Sequence, residues 1–220
     1  MNKINTVIFD LDGTLLDTLD DLSDALNVTL ERFGLPKRTR DQSRQALGNG
    51  LRVMMKKSLP LGEDTPRFEE ILEDFRGYYK DHSQIKTKAY DGIKDVMRSL
   101  ESRGYAFAIV SNKPDEAVKA LAKSYFGEFN IVASGENEKE GIPKKPSPEM
   151  VFKALGALGR SVGNAVYVGD SDVDISTAKN AGIPCISVTW GFRSEEFLTS
   201  CGATLLAGKP SELEALISSL

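Results

Sequence analysis

A chain of 220 residues with 40 % apolar and 27 % charged content is long enough for one sizeable core, or for a core and a smaller insert. Its formal net charge of −4 gives no general electrostatic reason to bind nucleic acid or an anionic membrane. The longest apolar runs, such as Tyr105 to Val110, fall far below the roughly 20 residues a membrane span needs. The opening residues lack the basic start and cleavage pattern of a secretory signal, so a cytoplasmic protein is expected. Cys185 and Cys201 are too widely spaced for a CxxC motif and read as buried thiols. His82 is the only histidine, which excludes a multi-histidine zinc site and a Ser-His-Asp triad.

In chain order, Val7, Ile8 and Phe9 read as a buried strand that runs directly into Asp10 and Asp12. From Asp17 to about Thr87 no β run appears. Leu22, Leu26, Leu30 and Phe33, then Phe68, Leu72 and Phe75, fall at helical spacing and predict an inserted helical domain over 17–87, with the core formed by 1–16 and 88–220. Beyond it, helices near 92–103, 114–125, 148–158 and 173–181 alternate with strands at 105–110, 130–133, 165–169 and 184–188. A short "ATLL" strand and a helix from about 210 complete the pattern. This alternation predicts an α/β fold with a doubly wound, parallel, Rossmann-like sheet. Gly104 and Gly182 follow their helices where a left-handed residue is wanted, and Pro114 and Pro148 fit first-turn positions.

In an open parallel sheet, ligands bind beyond the carboxyl ends of the strands. Four exits there carry reactive groups: Asp10 and Asp12, Ser111 and Asn112, Lys144 and Lys145, and Asp170 and Asp174. Adjacent carboxylates at the end of a buried strand repel one another, and a Mg²⁺ ion shared by Asp10 and Asp170 offsets that repulsion. Gly13 comes too early for an EF-hand loop, and neither a Walker GxxxxGK[ST] nor a GxGxxG sequence is present. A cation, a lysine, a hydroxyl and the amides of a helix start together suit a dianionic phosphoryl group, so a phosphate ester is the expected ligand.

The stretches "DLDGT", "VSNK", "KKPSP" and "GDSDVD" resemble, in order, the four motifs of the phosphatase branch of the haloacid dehalogenase superfamily. The resemblance implies that Asp10 is the nucleophile, forming an aspartyl phosphate, and that Asp12 is the general acid and base. Ser111 and Asn112 would bind the phosphoryl group. Lys145, which directly precedes "PSP", would neutralise Asp10 and the transferring group. Asp10, the backbone carbonyl of Asp12 and Asp170 would ligate Mg²⁺, with Asp174 supporting its waters and Asp172 reading as a solvated or helix-start residue. The original dehalogenase activity, which uses one aspartate and no metal, is disfavoured by Asp12 and Asp170.

The helical insert resembles the cap of phosphoglycolate phosphatases. "LGNGLRVMM" makes Asn49, Gly50 and Arg52 the candidates to face substrate, Arg52 for a substrate carboxylate, although an exposed helix arginine fits the sequence better. Trp190 lies in "SVTWGFR", a stretch similar to the family's after the fifth strand. The expected partner is a small phosphorylated metabolite, without nucleic acid or membrane, acted on by a phosphoglycolate phosphatase or a related enzyme. A β-phosphoglucomutase is the main rival, although its G-x-S-R cap element is missing; a pyrophosphatase or nucleotidase is a further alternative. A silent phospholigand-binding module is disfavoured because every catalytic position is filled. Nothing in the chain separates a monomer from a homodimer.

Overall fold

The computed structural model describes residues 3–137 and 141–220. In chain order, β1 (Thr6–Phe9) and β2 (Leu16–Asp17) lead into four helices, α1 (Leu19–Arg32), α2 (Arg40–Ala46), α3 (Leu51–Ser58) and α4 (Phe68–His82). There follow β3 (Lys88–Ala89), α5 (Ile93–Ser102), β4 (Ala106–Pro114), α6 (Asp115–Phe126), β5 (Ile131–Glu136), α7 (Glu149–Leu158) and β6 (Ala165–Gly169). The chain ends with α8 (Asp172–Ala181), β7 (Cys185–Val188), α9 (Glu195–Ser200), β8 (Leu206–Ala207) and α10 (Leu213–Ser218). Two compact units result: Met1–Leu16 with Ala89–Leu220, and Asp17–Lys88.

The first unit is an α/β domain built on a six-stranded sheet of order β5-β4-β1-β6-β7-β8, parallel throughout. From the central β1 the order runs one way through β4 and β5, then the other way through β6, β7 and β8. The crevice where it reverses opens between the carboxyl ends of β1 and β6, the usual ligand position in such sheets. The alternation of side chains explains why both faces are apolar. Val7 and Phe9 join Phe107, Ile109, Val166 and Val168 in one buried cluster, with Met97 and Leu100 of α5. Ile8 points the other way, with Val110, Tyr167 and the α7 residues Met150, Val151 and Ala154.

Three local features differ from what the sequence predicts. β4 continues past Val110 as far as Pro114, with an irregular register, because β5 also runs on and pairs Glu136 with Pro114. Pro114 and Pro148 precede their helices as N-caps rather than entering the first turn; Asp115 begins α6, and its Oδ1 accepts the Gly135 N–H at 3.0 Å. The cysteines are not both buried: Cys201 is exposed where α9 ends, and Cys185 is partly covered. Burial pushes the Cys185 thiol up to about 12, which keeps it protonated. Gly104 and Gly182 do take the left-handed conformation, at φ +82° and +70°.

The second unit is helical. Leu22, Leu26 and Leu30 of α1 are buried, as are Phe68, Leu72 and Phe75 of α4, each set one stripe of an amphipathic helix. Phe33 is only half-buried and lies under the Arg67 guanidinium, 4.8 Å from the ring centre. Asp21 ties the two ends of this unit together: its buried carboxylate accepts the N–H groups of Ile85, Lys86 and Thr87 at 2.9–3.1 Å. Charge-assisted bonds to three successive amides make it a strong polar clamp. Asp21→Asn turns one acceptor oxygen into a donor facing those amides and is expected to lower the free energy of urea unfolding by about 1–3 kcal/mol; a change under about 0.5 kcal/mol would show that the clamp is not needed.

Candidate active site

β1 delivers Asp10 to the crevice because the Phe9–Val168 register continues one step, the Asp10 N–H donating to Val168 O at 2.9 Å. β6 ends at Gly169 and places Asp170 beside it. Ser171 then caps α8: its hydroxyl faces the Asp174 N–H at 3.4 Å, while Asp174 Oδ2 accepts from the Ser171 N–H at 3.0 Å and from its hydroxyl at 2.6 Å. This reciprocal capping box turns the Asp174 carboxylate back towards the sheet. Asp10, Asp170 and Asp174 are all buried and each offers an oxygen within 4.8 Å of the others.

Two buried ammonium groups meet acids at this sheet edge, one of them within the cluster and the other at Asp12. Lys145 Nζ lies 2.8 Å from Asp10 Oδ1 and 2.7 Å from Asp174 Oδ1. Lys113 Nζ lies 3.1 Å from Asp12 Oδ1. Lys144 is exposed, so of the two adjacent lysines it is Lys145 that enters the site. Its loop is held by Asn112, whose amide accepts the Lys145 N–H at 2.6 Å and donates to the Lys145 carbonyl at 3.0 Å. The side chain expected to bind phosphate is therefore occupied in fixing the lysine loop. Ser111, buried one residue earlier, accepts the Lys113 N–H at 3.3 Å.

The electrostatics show an excess of negative charge. Burial, then the neighbouring Asp174 carboxylate, pushes the Asp10 carboxyl up to about 7 against the pull of Lys145. Burial, followed by Asp174 and Asp10, also holds Asp170 well above the carboxylate range, although the Phe192 N–H donating at 2.7 Å and the Arg193 charge oppose the rise. Burial works against the Lys145 charge, yet Asp10 and Asp174 outweigh it and hold that ammonium well above its ordinary pKa. One lysine does not balance three buried carboxylates.

The donor set fits a hard divalent cation, which takes oxygen ligands. Lys145 and Ser171 engage both oxygens of Asp174, the Thr14 hydroxyl at 3.4 Å and the Phe192 N–H at 2.7 Å face the two oxygens of Asp170, and Lys145 faces Asp10 Oδ1, so the three acids together form the carboxylate donor set. Glycines make room for this packing. A Cβ at Gly13, where φ is +86°, would collide with the Asp170 carboxylate, and one at Gly191 would collide with both Asp170 and the Gly13 carbonyl. Trp190 Nε1 donates to the Thr14 carbonyl at 3.1 Å and so braces the turn after Asp12.

Sequence reasoning reaches Lys113 only as the last residue of "VSNK" and misses Ser171, Tyr167 and the two crowded glycines. The "GDS" and "WGF" strings carry the signal of a capping serine and a close approach.

The remaining candidates lie in the helical unit. Gly50 is the N-cap of α3 at φ +84°, and Asn49 is half-buried in the bend before it. Arg52 pairs with Glu69 at 3.0 Å and 2.5 Å and with Glu63 at 3.5 Å, and stacks over Phe68. It is an exposed helix arginine matched by acids of its own unit, the reading the sequence favours. Asp172 is the partly exposed first residue of α8, as expected of a helix-start residue.

The model of haloacid dehalogenase-like hydrolases matches residues 7–188. The chain is 35 % identical over 216 residues to a phosphoglycolate phosphatase of Aquifex aeolicus, covering 97 % of each chain. It is 27 % identical to an N-acetylmuramic acid 6-phosphate phosphatase of Pseudomonas aeruginosa, over 96 % of this chain and 93 % of that one. A crystal structure from Lactobacillus delbrueckii subsp. bulgaricus, provisionally assigned as a phosphoglycolate phosphatase, superposes with a TM-score of 0.92 at 37 % identity, over 99 % of this chain and 100 % of the other. The chain belongs to the haloacid dehalogenase-like hydrolase family. It is an enzyme of the phosphatase branch, phosphoglycolate phosphatase-like in sequence and fold.

A linkage effect follows from Asp10. Its carboxyl ionises near 3.8 when unfolded and near 7 when folded, so the native state holds the extra proton between those values. The metal-free protein is expected to lose stability through this group as pH rises from 4 to 7, and Asp10→Asn to flatten that part of the curve. Chemical denaturation of both proteins in EDTA across this range checks it; parallel curves would contradict the burial argument.

Proposed function

We propose that the chain is a Mg²⁺-dependent phosphomonoester hydrolase acting through an aspartyl-phosphate intermediate, with phosphoglycolate as its first candidate substrate. The observation that carries this reading is the buried acid cluster itself: Asp10, Asp170 and Asp174 converge at a sheet crevice with a single lysine between two of them. Asp10, the Asp12 carbonyl and Asp170 would hold Mg²⁺, which when bound supplies Lewis-acid stabilisation of phosphoryl oxygen charge.

In the first step an Asp10 oxygen attacks phosphorus, the phosphorus–oxygen ester bond breaks, and the leaving oxygen takes its proton from Asp12. In the second, a water oxygen attacks the same phosphorus, Asp12 takes its proton, and the Asp10–phosphorus bond breaks to release inorganic phosphate. Splitting the displacement lets one preorganised site stabilise two similar transition states. Lys145 offsets the charge on Asp10 and on the transferring group, Ser111 donates its hydroxyl to a phosphoryl oxygen, and Lys113 faces Asp12, the group that must change protonation. The Asp17–Lys88 unit acts as a cap, which excludes competing water and selects the leaving group.

Identity with the phosphoglycolate phosphatase relative supports the first substrate, and the muramic acid phosphatase relative adds sugar phosphates as a second class. Phosphate release is to be measured from phosphoglycolate, N-acetylmuramic acid 6-phosphate, pyrophosphate, hexose phosphates and nucleoside monophosphates, with Mg²⁺ and with EDTA. Turnover should require the metal and be greatest on phosphoglycolate. Asp10→Asn should lower kcat by about 10³-fold or more while the protein stays folded. Metal-independent release, or wild-type turnover in that variant, would sink the mechanism.

A further inference from the structure

We infer that Tyr167 is a positioning residue for the reaction: its hydroxyl fixes the Lys145 ammonium between Asp10 and Asp174. The inference rests on the phosphatase reading only for what the lysine then does. An ammonium has three N–H donors, and Lys145 Nζ has three oxygen neighbours, Asp174 Oδ1 at 2.7 Å, Asp10 Oδ1 at 2.8 Å and Tyr167 Oη at 3.1 Å. The same hydroxyl donates to the Val110 carbonyl at 3.1 Å. Accepting from lysine and donating to a main-chain carbonyl orients it in one sense, and burial, against the pull of Lys145 and with the Asp174 and Asp10 charges, holds its pKa well above the phenol range, so the proton it donates stays in place.

The location argues that the hydroxyl is there for this contact. Tyr167 is fully buried on the sheet face shared by Ile8, Val110, Met150 and Val151, where a phenylalanine ring would fill the same space. A hydroxyl in such surroundings is unfavourable unless both its bonds are made. It also links two parts of the site: Val110 directly precedes Ser111, and Asn112 grips the Lys145 main chain at N and O. The lysine is thus held at its backbone by Asn112 and at its head by Tyr167. Without the hydroxyl, one N–H of a buried ammonium loses its acceptor and the head group is free to shift from Asp10 towards Asp174.

The test is Tyr167→Phe beside Leu155→Val, a core change on the same face of the sheet that serves as the stability control. With both assayed well below their melting temperatures, Tyr167→Phe should lower kcat by about 10- to 100-fold, with KM nearly unchanged, and Leu155→Val should leave both near wild type. A readout independent of turnover is the ¹⁵N resonance of the Lys145 side chain, assigned by its loss in Lys145→Met. It should be protected from proton exchange in the wild type and in Leu155→Val, and broadened or lost in Tyr167→Phe. Wild-type kcat in Tyr167→Phe, or a resonance equally protected in that variant, would overturn the inference. Absent turnover in the wild type would instead be the failure of the phosphatase reading, and the resonance would then decide the role of the tyrosine alone.

Discussion

The site depends on the cost of burying negative charge. Asp10, Asp170 and Asp174 come together in a crevice whose walls are the apolar ends of β1 and β6, and desolvation is the largest influence raising the Asp10 and Asp170 carboxyls. Nothing in such a position is tolerated unless it is paired. Lys145 contacts two of the three, and much of the surrounding structure serves to keep it there: the Asn112 clamp on its main chain, the Tyr167 hydroxyl at its head and the capping box that engages Asp174 beside it.

The same constraint ties the fold to the chemistry. A parallel sheet wound in both directions has one crevice where strand exits face each other, and the acids stand there because β1 and β6 are neighbours. Their close approach leaves no volume for side chains at Gly13 or Gly191, where an added Cβ would strike the Asp170 carboxylate. A carboxylate-rich site of this kind suits a divalent cation together with a dianionic group that brings its own oxygen ligands, which is the arrangement proposed for catalysis. Asp12 stands apart from the cluster, against Lys113, and is the carboxylate free to exchange a proton with the leaving group in that proposal.

Much of this is legible in the amino-acid sequence. The alternation after Gly92 predicts the parallel sheet because every strand is an apolar run bounded by turn residues, and the acid, hydroxyl and lysine exits stand at strand ends. The rest is set by contacts between residues distant in the chain. Tyr167 is an ordinary alternating residue of "AVYVG" until its hydroxyl meets a lysine 22 positions earlier. The family resemblance makes Asn112 a phosphate-binding candidate, but the sequence does not show that its amide is matched to a loop 33 residues away. Arg52 reads as an exposed helix arginine, and it is one, but the sequence does not show that Glu63 and Glu69 are its partners. Cys201 reads as buried from its rarity, and a surface helix end exposes it. Periodicity reports which face a residue takes; it does not report which polar group waits on that face.

The central claim is that the buried Asp10 carboxylate, held by Lys145, is the group that receives the phosphoryl group. The direct measurement is rapid acid quenching during steady turnover of phosphoglycolate in Mg²⁺, followed by mass spectrometry of the peptide spanning "VIFDLDGTLLDT". The account predicts a phosphoryl mass increment on Asp10 that builds up within the first turnover and decays when substrate is exhausted. Turnover with no label on Asp10 at any time, accompanied by inversion of configuration at phosphorus, would mean that water attacks the ester directly and would contradict it.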